Sequence, residues 1–146
     1  MQRKRYSRTP NRSDVKYFKQ MEKQLNIFGE PLIACSNNPL TGFFRDGCCN
    51  TDETDSGVHT VCVEVTAEFL DFSYNVGNDL ITPVPEWDFK GLKPGDKWCL
   101  CAARFLEAYE NDAAPKVVLE ATNEKTLEIV PMDVLIKHAS YSKQNQ

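Results

Sequence analysis

No run of about 18 apolar residues occurs anywhere in the chain, which excludes a transmembrane helix. The charged N-terminus is not followed by an apolar stretch, so a secretory signal is not expected. Neither the Walker pattern nor the glycine-rich dinucleotide pattern is present, and nucleotide binding has no specific support. The Cys-x-x-Cys knuckle of common zinc sites is also missing. No internal repeat is visible.

What is present is ordinary in bulk. A chain of 146 residues, 41% hydrophobic and 26% charged, fits one globular domain. It is long enough to bury about two-thirds of its unfolded surface. The net charge of −4 hides an asymmetry. Residues 1–23 hold eight Lys or Arg against Asp14 and Glu22, a surplus of six positive charges, which leaves −10 on the remainder. This is a basic arm on an acidic body. The arm reads either as a solvated leader or as a phosphate-binding or targeting segment. Nucleic acid is therefore a partner to consider for the leader alone, because the acidic body argues against it. No membrane partner is expected.

Six cysteines are many for this length. An even number can mark a disulfide framework. Against it stand the lack of a signal peptide, a chain large enough to stabilise itself, and close cysteine pairs that bridge poorly. Cys48 and Cys49 would have to close a strained small ring. The thiols read as reduced and the compartment as the cytoplasm or an organelle interior.

Along the chain, residues 1–25 form a basic leader. Within it Ser13 can cap a short helix over about 14–24, on which Val15, Phe18, Met21 and Leu25 recur at near-helical spacing. Asn26 to Asn50 is irregular and rich in turn signals, with at most a short strand at 32–35. Val58 to Val65 alternates β-branched residues and predicts a strand. Thr66 caps a helix stopped at Gly77. Pro83 and Pro85 keep 78–89 extended, with Trp87 and Phe89 as its anchors. After the turn at 91–96, a strand over 97–101 and a helix over about 102–110 are expected; one continuous helix capped by Asp96 is the alternative. A strand over 116–121, a helix over about 124–129 capped by Thr122 or Asn123, and a last helix from Pro131 to about Ala139 complete the domain, 26–139. Residues 140–146 are a loose tail. The fold class is α+β: a small mixed or antiparallel sheet with helices packed on it, after a long irregular N-terminal segment.

Specialised side chains concentrate in Thr41-Gly42-Phe43-Phe44-Arg45-Asp46-Gly47-Cys48-Cys49-Asn50. Three uses follow. A cysteine nucleophile, Cys48 or Cys49, needs a cation or a base to form its thiolate; Arg45 is near in sequence, His59 can return beside it, and Asp46 can orient that histidine. A metal site, with zinc as the cofactor, draws on Cys35, Cys48, Cys49, Cys62, Cys99, Cys101 and His59. A binding module for a small molecule or an anion uses Arg45, Asp46 and the loop's N–H groups, with Asp79 a further polar group beside Asn78 and Asp96. Against these uses stands plain packing: Cys48 and Cys49 as small apolar groups, Cys62, Cys99 and Cys101 as buried structural cysteines, Trp87 and Trp98 as core, His138 as a solvated charge in a helix's last turn.

Several stretches taken together are familiar: Asn26-Ile27-Phe28-Gly29-Glu30-Pro31-Leu32, Gly42 to Cys49, His59-Thr60-Val61-Cys62, Gly77-Asn78-Asp79-Leu80, Pro94 to Cys99, and the run from Val118-Leu119-Glu120-Ala121-Thr122. The chain resembles a family of bacterial and plant proteins catalogued as domain of unknown function 2237, over about residues 26–139. Asn123 departs from that pattern, where members often carry His, which weakens a role as ligand or base for this position. The resemblance implies one compact domain and names no activity, cofactor or partner.

Overall fold

Valine at 61, 63 and 65 favours a pleated strand with a wide apolar face. In the computed structural model, which describes residues 23–140, His59–Glu64 forms β1. It is the centre of a three-stranded sheet in the order β2-β1-β3, with β2 at Lys97–Cys101 and β3 at Lys116–Val117. Both pairings are antiparallel, so the fold is the small antiparallel α+β arrangement expected. The helix expected over about 14–24 falls almost wholly outside the described residues, as does the tail beyond Ser140.

The sheet separates two apolar clusters because side chains alternate across it. Val61 opposes Leu100 and Val63 opposes Trp98. These four lie in the main core with Val65, Val117, Phe69, Phe105 and Leu135. Each such side chain, fully buried, contributes about 1.5–3 kcal/mol. Cys62 opposes Cys99 on the other face. There they meet Cys35, Cys49 and Ala121, contributed by the irregular segment before β1 and the turn after β3. Both faces of β1 are therefore covered, which explains why Thr60, Val61, Cys62 and Val63 are all fully buried.

Three α-helices close the main core: α1 at Ala67–Asn75, α2 at Ala102–Glu110 and α3 at Met132–Lys137. Thr66 accepts the Phe69 N–H through its hydroxyl at 3.1 Å and starts α1, and Gly77 ends it with φ of +94°. The chain passes directly from β2 into α2, which settles the ambiguity over 97–110 in favour of strand then helix. The Ala102 N–H donates to Val58 O at 2.9 Å and fixes that junction to the start of β1.

Three expectations need correction. The strand foreseen over 116–121 stops at Val117, and Leu119–Ala121 is one 3-10 turn. The Thr122 hydroxyl accepts the Cys62 N–H at 3.1 Å and donates to Val118 O at 2.9 Å, so a side chain takes over the strand's hydrogen bonding. The helix at 124–129 is a 3-10 segment, Glu124–Glu128, capped by Asn123. Trp87 is not a buried anchor: it sits on the 3-10 turn Pro85–Trp87 and is 74% exposed, while Phe89 does pack on Trp98 with ring centroids 5.3 Å apart. No helix among the described residues is long and apolar enough to cross a membrane.

Candidate functional site

Of the two histidines, His59 begins β1 and is held from three sides. Asp55, with its side chain fully buried, places Oδ1 2.7 Å from His59 Nδ1. Its Oδ2 accepts the His59 backbone N–H and the Thr51 hydroxyl, each at 2.9 Å. A carboxylate so placed selects the Nδ1–H form of the ring and leaves Nε2 as the acceptor. Gly57 lies flat against the imidazole; a Cβ there would overlap His59 Cε1. Phe43 stacks over the ring at 6.3 Å with planes 14° apart. Val58, just before the histidine, has φ of +49°, a conformation costly for a β-branched residue. Its carbonyl is engaged by two N–H groups, of Thr60 and Ala102, which holds it there.

His59 lines a cavity of about 480 Å³. The cavity runs along the outer edge of β2, so Trp98 through Cys101 all contribute to its wall. Arg45, Asp79 and Trp87 also line it. The Arg45 guanidinium stands over the Trp98 ring, 5.5 Å from its centroid, and Arg45 Nη1 donates to Gly42 O at 3.1 Å. Asp79 Oδ1 accepts the N–H groups of Ile81 at 2.9 Å and Thr82 at 3.0 Å. Hydrogen bonds from the Thr82 side chain and backbone, then from Ile81, hold its carboxyl below the usual range, so it is ionised at neutral pH.

The six cysteines divide differently from expectation. Cys35 bonds Cys62 and Cys49 bonds Cys99, with Cα atoms 5.7 and 5.3 Å apart. The expectation of six reduced thiols is corrected: of its grounds, the poor bridging of close pairs does not apply, because the partners lie 27 and 50 residues apart. Cys49, fully buried and bonded, has no thiolate to offer as a nucleophile or ligand in this state. Cys48 and Cys101 are free. Burial, and then the Asp46 carboxylate, push the Cys48 thiol up, against an opposing pull from Lys23. Cys48 stays protonated at neutral pH and does not line the cavity. Asp46 accepts the Cys48 N–H and the Asn50 amide, each at 3.0 Å, and so braces the loop rather than orienting His59.

The sulfurs of Cys35, Cys49 and Cys99 lie within 4.8 Å of one another, a grouping that could bind a metal. Zinc takes thiolates, and here all three sulfurs are in disulfides; the set suits an ion only once reduced. His59 and Cys48 are not part of it. Asn123 is structural, buried, with Nδ2 donating to Gln24 Oε1 at 2.7 Å and to Cys49 O at 3.1 Å.

The structure thus brings Arg45, Asp79 and His59 to one cavity and leaves Asp46, Cys48 and Cys49 outside it. Sequence reasoning missed Asp55, whose four-residue spacing to His59 is a usable signal, and it weighed Cys101 only as a metal ligand or a buried structural cysteine, whereas the register places it opposite His59. No curated protein matches the chain. The family model described as "Uncharacterized protein conserved in bacteria (DUF2237)" matches residues 25–139, which takes in the whole cavity and both disulfides, and the chain belongs to that family.

Proposed function

We propose that the domain binds a small organic anion with a flat apolar body in the cavity beside His59. Arg45 carries this reading. Its guanidinium stands over Trp98 in the cavity wall, and no carboxylate among the described residues forms an ion pair with it. A planar guanidinium seated over an aromatic ring still offers its N–H donors as a fork suited to a carboxylate. Cavities of roughly 300–1,000 Å³ suit small molecules, and this one falls within that range. Trp87, exposed at the rim, supplies a second flat surface. Asp79 holds a negative charge in the same wall, which favours a monoanion over a dianion.

The test is a titration of the full chain with 2-naphthoate and with neutral 2-naphthamide, followed by tryptophan fluorescence and amide shifts. Naphthoate should bind at least about tenfold tighter, the equivalent of one modest ion pair of about 1.4 kcal/mol. Arg45→Gln should remove the difference. Equal affinities for the two probes, or shifts confined to the opposite face of the sheet, sink the reading.

The sulfur grouping favours a second reading, zinc binding by the reduced protein through Cys35, Cys49, Cys62 and Cys99. Zinc content after reduction and desalting tests it; one ion per chain supports it and none refutes it. A cytoplasmic or organelle-interior setting belongs with that reading. Trapping thiols at lysis checks it: six free thiols fit a reducing compartment, two an oxidising one.

A further inference from the structure

Cys101 is the one free cysteine that lines the cavity. It is the last residue of β2 and the residue from which α2 starts. A nucleophile at a sharp strand-to-helix junction is held out from the backbone, with the helix's first N–H groups beside it. No side chain caps α2; its first N–H, that of Ala102, is taken by Val58 O, and the donors without a capping group are those that follow it. On the neighbouring strand the residue paired with Cys101 is His59. Directly opposed residues in an antiparallel ladder have Cβ atoms roughly 4.5–5.5 Å apart and share a face. The register shifts between His59 and Val61. That irregularity breaks the alternation that would otherwise place His59 on the Val61 face, and bulges of this kind re-aim side chains beside functional sites. The carboxylate of Asp55 then fixes the ring's Nδ1 side. No hydrogen bond joins Cys101 to His59 in the resting structure; what brings the two together is the register and the shared cavity wall.

We infer that Cys101 is the nucleophile of an acyl-transfer site, with His59 as its base and Asp55 as the positioning residue for His59, acting on a small ester or thioester. The inference rests on the anion-binding reading only for the substrate's shape, since the acid released is the ligand proposed for Arg45. His59 Nε2 takes the Cys101 proton as sulfur attacks the carbonyl carbon. The C–S bond forms and the carbonyl electron pair moves onto oxygen. On collapse the bond to the leaving alcohol or thiol breaks, and that group takes the proton from His59. Water, deprotonated by His59, then attacks the acyl-cysteine; the acid departs and Cys101 recovers its proton.

The experiment uses the full chain with disulfides intact. Iodoacetamide labelling is followed residue by residue by peptide mass mapping, and p-nitrophenolate release from p-nitrophenyl acetate is followed by absorbance. Cys101 should label at least about tenfold faster than Cys48, and His59→Asn should slow Cys101 by a similar factor without changing Cys48. Nitrophenolate release should fall to the uncatalysed rate in Cys101→Ala. Asp55→Asn, which keeps the side chain's shape, should lower both rates and alter their pH profile. Equal labelling of the two thiols, or labelling indifferent to His59→Asn, overturns the nucleophile. Release unchanged in Cys101→Ala overturns the acyl chemistry. Fast His59-dependent labelling that 2-naphthoate fails to slow keeps the nucleophile and removes the anion reading instead.

Discussion

Asp55 is the residue on which the site depends most, and removing it has a calculable cost. Its fully buried carboxylate accepts three hydrogen bonds, from the His59 N–H, His59 Nδ1 and the Thr51 hydroxyl. Truncation in Asp55→Ala orphans all three donors. Water can reach the imidazole, which is 41% exposed, but not readily the backbone N–H or the half-buried threonine. Each unsatisfied buried donor costs about 1–3 kcal/mol. Losing a buried charge returns part of that. The net expectation is a loss of about 2–4 kcal/mol, read as a lower urea midpoint with unchanged slope. At about 2–4 °C per kcal/mol for a chain of this size, the melting temperature falls by roughly 4–16 °C. Asp55→Asn should cost only about 1 kcal/mol, because its amide oxygen can still serve Thr51 and the backbone N–H. The amide NH2 then faces Nδ1, which must become an acceptor, so the ring proton moves to Nε2. Ring-nitrogen NMR shifts of His59 report that exchange. An Asp55→Ala protein within about 0.5 kcal/mol of the parent, or an Asp55→Asn protein keeping Nδ1–H, refutes the reasoning.

Gly57→Ala has only a steric reason to act: its Cβ would overlap the His59 ring, so the imidazole should swing away. Loss of the Nδ1–Asp55 signature by NMR, with stability changed by less than about 1 kcal/mol, is the expected result; an unmoved ring counts against the packing described. The disulfides close segments of 27 and 50 residues. By chain entropy Cys35→Ala/Cys62→Ala should cost up to about 3.5 kcal/mol and Cys49→Ala/Cys99→Ala up to about 4 kcal/mol. Urea midpoints that do not move in either double variant would show that the pairs do not form. Burial, helped by Lys137, lowers the His138 pKa from its usual value of 6.5. The unfolded chain then binds the proton more readily than the folded one. Stability should be complete above pH 6.5 and decline as the pH falls below it towards the lowered value. A His138→Gln protein should lose part of that decline, and an identical pH profile would contradict it.

The parts of the fold that sequence made legible are those with local causes. Alternating valines place β1, the Thr66 cap and Gly77 bound α1, and the switch from Trp98-Cys99-Leu100-Cys101 to helix formers marks the β2–α2 junction. What stayed hidden depends on partners distant in sequence. Nothing within 116–121 foretells that the Thr122 hydroxyl will satisfy Cys62 and end β3. Trp87 invites burial by its size, yet Asp88 turns the chain at φ of +54° and leaves the indole outside. The disulfide partners are not legible in the sequence because Cys62 and Cys99 are brought side by side only by strand pairing, and each meets a cysteine of the loop.

That pairing connects the sulfurs to the cavity. Residues 35 and 49 bracket the segment carrying Phe43 and Arg45, and both ends are bonded to the sheet. Between them the Thr41 hydroxyl accepts the Cys99 N–H at 2.9 Å, and Gly47 contributes through its carbonyl to Cys35 and Ser36. These hydrogen bonds are each worth about 1 kcal/mol net, less than a disulfide of this span. The cavity's cationic wall is therefore held mainly by covalent bonds that a reductant can open. In the reduced protein, without denaturant, 2-naphthoate affinity should fall toward that of 2-naphthamide while β1, β2 and α2 keep their amide protection, because the main core lies on the other face of the sheet. Full affinity in the reduced state would mean that Thr41 and the Asp46 bonds to Cys48 and Asn50 suffice to hold Arg45 over Trp98, and that the disulfides serve stability alone.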